Sequence, residues 1–250
     1  VWMNNEDQVQ KLAESHICSI DTEGQTALMH AAGRGYKNLV DLLKKEQKIR
    51  DNEGKTALMI SIINWKHDIT HMLLEEIGIQ DNDGWTALMH AIAQDDLKAF
   101  DLLHDELEIT NLQGQSPLMV AAQLNSDIFV EEILKQCPQL LKQQDFSGKT
   151  ALSYAIVQGN PEICKMLLEE KDVEDNFGIT NQQLAIISGN QQIIDLFQIE
   201  PSQIQSDRID ENNYAIEKTI NPDEVTKDEA QQIFDRINKM QVVKENSASE

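Results

Sequence analysis

His67 and His71 stand four residues apart, a spacing that sets two imidazoles on one helix face and suits a shared metal ion. No acidic residue is placed to complete a zinc-hydrolase pattern, so a surface pair at a helix entry accounts for them. His30 and His90 fall at equivalent positions of two repeated segments and are read as structural, while His16 and His104 are isolated. The segment Asp81–Gly84 has the acid content of a calcium loop, yet taking Asp81 and Asp83 as its third and fifth positions puts Ile79 first and His90 last, where carboxylates are required. A second frame ending on Glu229 fails at Lys218, Ile220 and Pro222. There is no G-x-S-x-G, no phosphate loop with its lysine and no C-x-x-C. The residues point to no catalysis, no cofactor and no metal.

Cys18, Cys137 and Cys164 are odd in number, far apart and set in apolar helical patterns, which fits reduced thiols and a cytoplasmic location. No apolar run is long enough to span a bilayer, and the acidic N-terminus lacks the basic flank of a signal peptide. The chain begins at Val1, which we read as a processed or partial chain. A formal charge of −22, with −16 on residues 1–199 and −6 on 200–250, argues against nucleic acid or anionic membrane. Spread acidity either keeps the surface soluble or steers it toward a basic protein partner.

What must position any site is a repeat. Asp81–Ala91 reads DNDGWTALMHA and Asp51–Ser61 reads DNEGKTALMIS. Aligned on glycine, the copies fall at Gly24, Gly54, Gly84, Gly114, Gly148 and Gly178, spaced 30, 30, 30, 34 and 30. Three residues before each glycine is Asp21, Asp51, Asp81, Asn111, Asp145 or Asp175, which with the glycine makes a tight turn. Two residues after it is Thr26, Thr56, Thr86, Ser116, Thr150 or Thr180, placed to cap a helix. That helix carries Ala31, Ser61, Ala91, Ala121, Ala155 and Ala185 at one offset, small enough for close stacking.

The chain must then reverse. Gly35, Asp95, Asn125, Gly159 and Gly189 tolerate a left-handed residue there, whereas Trp65 does not, so the second copy is expected to reshape its turn. A second helix follows, with apolar residues at helical spacing such as Leu39, Val40, Leu42 and Leu43.

The D-x-x-G turn, the T-A-L or S-P-L start (Thr86, Ala87, Leu88; Ser116, Pro117, Leu118), the small residue, the mid-repeat glycine and the paired leucines resemble the ankyrin repeats. The resemblance covers residues 21–199 and implies an all-α solenoid of stacked helix-turn-helix units, preceded by a partial repeat over 1–20. Repeats start near 21, 51, 81, 111, 145 and 175. Where the family usually has histidine after T-P-L, this chain has Met29, Met59, Met89, Met119, Ser153 and Gln183, so methionine packing must replace a hydrogen bond. The period is about three residues shorter than the family's usual one; only QCPQLLKQQD keeps a fuller connection. Gln182 in a leucine position fits a terminal cap.

Residues 200–221 read as a linker or strap. A capping box at Thr226 and Glu229 then opens an amphipathic helix over 222–243, before a disordered tail at 244–250. That helix docks on the last repeat, binds another chain, or frays; helix or strap lying in the groove would regulate binding in cis.

The resemblance implies a non-catalytic scaffold that binds a protein partner on the concave face of the array. The positions displayed there are Gln25, Arg34, Lys55, Asn64, Trp85, Gln94, Gln115, Leu124, Lys149, Gln158, Phe177 and Ile179. Trp85 stands out, because nothing in the repeat demands an aromatic there; it either covers a neighbouring turn or anchors a partner. Phe146 and Phe177 with Ile179 form a second cluster. The alternative function is a regulatory or targeting arm of a larger enzyme, such as a kinase, whose catalytic domain lies outside this chain.

Overall fold

The computed structural model describes residues 19–198. The expectations for the partial first repeat, the strap, the C-terminal helix and the tail lie outside the described residues. Within them the chain forms six helix pairs: α1 Ala27–Arg34 with α2 Lys37–Leu42, α3 Ala57–Ile63 with α4 His67–Thr70, and α5 Ala87–Ala93 with α6 Leu97–Phe100. Then follow α7 Pro117–Gln123 with α8 Asp127–Gln136, α9 Ala151–Gln158 with α10 Pro161–Met166, and α11 Asn181–Ser188 with α12 Gln191–Leu196. Isolated bridges at Ile20 to Thr26 and Glu174 to Thr180 are the nearest approach to β-structure among the described residues. Each first helix packs on the first helix of the next unit, so the array is a solenoid whose core is continuous.

Each turn closes the same way. The carboxylate of Asp21 accepts the amides of Glu23 and Gln25, both at 2.9 Å, and the amide of Gly24 donates to the Asp21 carbonyl. Asp51, Asp81, Asn111, Asp145 and Asp175 repeat the pattern, with the glycines at φ of 78–83°. Four of the first helices then start on the expected hydroxyl cap, whereas Ser116 makes no such bond. Thr26, Thr56, Thr86 and Thr180 accept the amide three residues on at 3.2–3.5 Å, each cap contributing about 1 kcal/mol. Leu28, Leu58, Leu88, Leu118 and Leu152, the methionines at Met29, Met59, Met89 and Met119, and the small residues from Ala31 to Ala185 are all buried. In the second helices the burial falls on Val40, Ile69 and Phe100, and just past them on Leu43 and Leu73, while Leu42 is 39% exposed. Phe100 and Phe129 join two units through ring centroids 5.2 Å apart.

Unit length sets the second helix. The 30-residue units hold second helices of four residues (α4, α6) or six (α2, α10), whereas the unit with four extra residues extends α8 to ten.

The reversal after α3 differs from expectation. Trp65 adopts φ of 58° and keeps the standard turn: its amide donates to the Ile62 carbonyl (2.9 Å) and that of Lys66 to Ser61 (2.8 Å), as Asp95 and Asp96 do one unit later. The indole is 51% exposed and meets only an edge of His67, so the side chain avoids a clash and the cost is backbone strain. Left-handed geometry costs a bulky L-residue about 1–2 kcal/mol. Trp65→Asn, which tolerates that geometry, therefore raises stability by about 0.5–1 kcal/mol. A lowered urea midpoint would mean that the indole–His67 contact outweighs the strain.

Candidate binding surface

The turn tips are tied to one another. Asn52, Asn82, Leu112, Phe146 and Asn176 each donate a backbone amide to a carbonyl of the preceding turn, at 2.9–3.1 Å. Where the residue is asparagine its side chain adds a second bond, from Asn52 Nδ2 to Thr22 O, Asn82 to Asn52 and Asn176 to Phe146. Leu112 and Phe146 cannot, and stand 62% and 76% exposed. Behind the tips, the residue six past the turn glycine braces the turn when it is polar. His30 holds Asp21 at 2.8 Å, His90 holds Asp81 at 2.9 Å, and the Tyr154 hydroxyl donates to Asp145. The two equivalent histidines are thus structural, as read from the sequence. His67 is likewise committed, to both carboxylate oxygens of Asp96 at 2.9 Å.

Each sequence-predicted contact residue has a place on this frame. Gln25, Lys55, Trp85, Lys149 and Ile179 follow the turn glycines and are half-buried. Arg34, Asn64, Leu124 and Gln158, at the ends of the first helices, are exposed, as is Phe177, with Gln94 half-buried. Gln115 is the departure: it is 8% exposed and bonded internally, accepting from Asn111 Nδ2 and donating to Gln123. An asparagine in the turn position of aspartate presents a donor where the other turns present an acceptor, and Gln115 answers it. Its side chain is not on offer to a partner.

Trp85 sits against His90, ring centroids 5.5 Å apart, and with Asn52, Glu53, Lys55, Asp81, Asn82 and Asp83 lines a cleft between the second and third turns. It therefore packs on His90 of its own repeat and also lines the cleft against the preceding turn. Burial pushes His90 below its usual range despite Asp81, leaving it neutral at pH 7. Beside Glu53, Lys55 donates a hydrogen bond and holds that carboxylate low.

One set of residues escaped the sequence reading. Glu46, Glu76, Glu106 and Glu170, each 22 positions past a turn glycine, are at most 1% exposed. Each caps the first helix of its own repeat: Glu106 accepts the amide of Leu88 at 2.6 Å, and Glu46, Glu76 and Glu170 accept those of Leu28, Leu58 and Leu152. The other oxygen of Glu76, Glu106 and Glu170 reaches back a repeat, to the amides of Lys48, Gly78 and Lys142 at 2.7–2.9 Å. Those donors have φ of 68°, 85° and 65°. The fourth repeat has Leu140 at this place. There the Ser116 hydroxyl, buried, is left without a partner.

Desolvation raises Glu76, Glu106 and Glu170 above the ordinary 4.5, outweighing the amide bonds that favour the charge. A carboxyl raised in the folded state contributes stability that is complete below the unfolded value and lost as pH climbs through the folded one. These three glutamates accordingly add stability as pH falls through their raised folded-state values toward 4.5. His90 acts in the opposite sense, since its depressed value costs stability below about 6.5. Urea midpoints at pH 7, 6 and 5 test this against Glu106→Gln, which lacks one such carboxyl and keeps His90; a wild-type advantage that shrinks with acidification contradicts it.

No group of His, Cys, Asp and Glu able to hold a metal occurs among the described residues. Burial pushes the Cys164 thiol up to about 12 and raises that of Cys137, so neither is an activated nucleophile. None of the described helices is long and apolar enough to cross a membrane.

The family profile described as "Ankyrin repeats (3 copies)" matches residues 1–82, 64–140 and 125–207. No curated protein matches. Among solved structures, an ankyrin repeat domain from Acinetobacter baumannii AYE is 26% identical with a TM-score of 0.60, over 68% of this chain and 95% of that one. A chain of the complex of the Bd0816 predatory endopeptidase from Bdellovibrio bacteriovorus with immunity protein Bd3460 is 25% identical, TM-score 0.58, over 70% of this chain and 97% of that one. The ankyrin repeat domain of Bcl-3, a member of the IkappaB family, is 20% identical and shares the fold with a TM-score of 0.68, over 77% and 91%.

Proposed function

The chain belongs to the ankyrin-repeat family, whose arrays are generally protein–protein interaction modules, and from that premise we propose that it is a non-catalytic scaffold gripping a protein partner. The partner lies along the concave face, across the turn tips and the exposed ends of the first helices. One observation carries the reading. Six turns share one hydrogen-bonding scheme, yet the residue displayed after the glycine changes from Gln25 to Lys55, Trp85, Lys149 and Ile179, and the helix-end residue from Arg34 to Asn64, Gln94, Leu124 and Gln158. A frame held constant beneath a changing surface is what selective binding needs. The Bd0816 complex, in which an endopeptidase meets an immunity protein, is a related chain in a protein assembly.

The contact set is Gln25, Arg34, Lys55, Asn64, Trp85, Gln94, Leu124, Lys149, Gln158, Phe177 and Ile179. The experiment is capture from native cell extract with wild type beside Trp85→Ala and beside an Arg34→Ala, Asn64→Ala, Leu124→Ala triple variant, each with an unchanged circular dichroism spectrum. A partner retained by wild type and depleted by the variants supports the surface. Identical capture by all three proteins removes it.

A further inference from the structure

The cleft between the second and third turns, of about 560 Å³, combines an aromatic wall with three carboxylates, of which the fold leaves that of Asp83 unengaged. Asp81 spends one oxygen on the turn amides of Asp83 and Trp85 and the other on His90. Glu53 is shared with Lys55. Asp83, exposed at the tip, has a carboxylate that enters no hydrogen bond or ion pair among the described residues. With three carboxylates facing one ammonium and a neutral imidazole, the cleft has an excess of two negative charges.

Its geometry is fixed before any ligand arrives. The Asn82 amide is bonded to Glu53 O at 2.9 Å, and the Leu112 amide to Asp83 O at 3.1 Å, so both walls belong to the inter-turn ladder. Trp85 is braced on His90, and His90 on Asp81. Such preorganisation spares the ordering cost that weakens binding to mobile side chains. Among the six residues that follow a turn glycine, Trp85 alone is aromatic.

We propose that this cleft receives an arginine side chain from a basic segment of the protein partner, its guanidinium stacked on Trp85 and paired with Asp83 and Glu53. The proposal rests on the reading of the array as a protein-binding scaffold and names the chemistry of one contact. Arginine fits better than lysine, because a planar, weakly hydrated guanidinium can lie on an indole while its edge still donates to two carboxylates. The chain's charge of −22 draws such a segment in and makes the contact salt-sensitive.

The probe is the peptide acetyl-Gly-Arg-Gly-amide, with its lysine and citrulline counterparts, titrated into the full chain while the indole N–H resonance of Trp85 is followed, assigned by its loss in Trp85→Phe. The arginine peptide produces a saturable shift that weakens in high salt, with affinity about fivefold above that of the neutral citrulline peptide and of the Asp83→Asn variant toward arginine. Equal response to arginine and citrulline, no saturable response, or full arginine affinity in Asp83→Asn overturns the proposal; lysine binding as tightly as arginine overturns the guanidinium assignment. Should the peptides fail while the triple variant still loses a captured partner, the cleft is wrong and the scaffold reading stands.

Discussion

Glu106→Ala lowers the unfolding free energy of the array by about 3–5 kcal/mol, a loss comparable with much of a small domain's stability. The carboxylate of Glu106 serves three donors at once: the amide of Leu88 in the first turn of α5, the amide of Gly78 in the preceding repeat, and the hydroxyl of Thr86. Removing it strands all three in a site that is 0% exposed, where water cannot stand in, and each stranded donor costs about 1–3 kcal/mol. Glu106→Gln falls between the two proteins, since a carboxamide keeps one acceptor oxygen and turns an amine toward the remaining donors. Urea unfolding reads the loss, and hydrogen exchange locates it, with the amides of Gly78 and Leu88 losing protection ahead of the rest. A loss under about 1 kcal/mol for Glu106→Ala would mean that the glutamate ladder is not what joins the repeats.

The same glutamates show where the sequence was legible and where it was not. Everything governed by a short stretch of chain could be read: the Asx turn, the hydroxyl cap and the small residue on the first helix each depend on neighbours within a few positions. Glu106 reads as one more solvated acid in a chain with 43 acidic residues, because the amide of Gly78, 28 positions back, becomes its partner only when two repeats stack. The available signal was the constant offset of 22 from the turn glycine, shared by Glu46, Glu76, Glu106 and Glu170. Gln115 went astray through a local substitution, Asn111 for aspartate, whose donor draws the side chain inward. Trp65 was misjudged because a propensity was set against the cooperative demand of two turn hydrogen bonds and a packed helix pair, and the demand won. Of the proposed binding surface, the repeat register gives where each position falls on the frame, whereas the cleft beside Trp85 depends on which side chains of two adjacent turns face each other.

Gly84→Ala is expected to cost about 3 kcal/mol or more, and Gly178→Ala only about 1–2 kcal/mol, although both glycines have φ near 78–79°. The dihedral penalty is common to both. The difference is what a methyl group would meet. At Gly84 it would lie 2.4 Å from the backbone nitrogen of Leu112 and 3.0 Å from the carbonyl carbon of Asn111, so the fourth turn itself has to move, along with the bond from the Leu112 amide to Asp83. At Gly178 no atom of the described residues lies within 4 Å. Subtracting one variant's loss from the other's therefore isolates the coupling between neighbouring turns from the strain within one. Equal losses would show that the turns stack without constraining each other, and the rigidity on which the cleft depends would have no source. Because Asp83 adjoins Gly84, the same Gly84→Ala protein should also bind the arginine peptide more weakly while Gly178→Ala retains full affinity, which ties the stability of the ladder to the surface it presents.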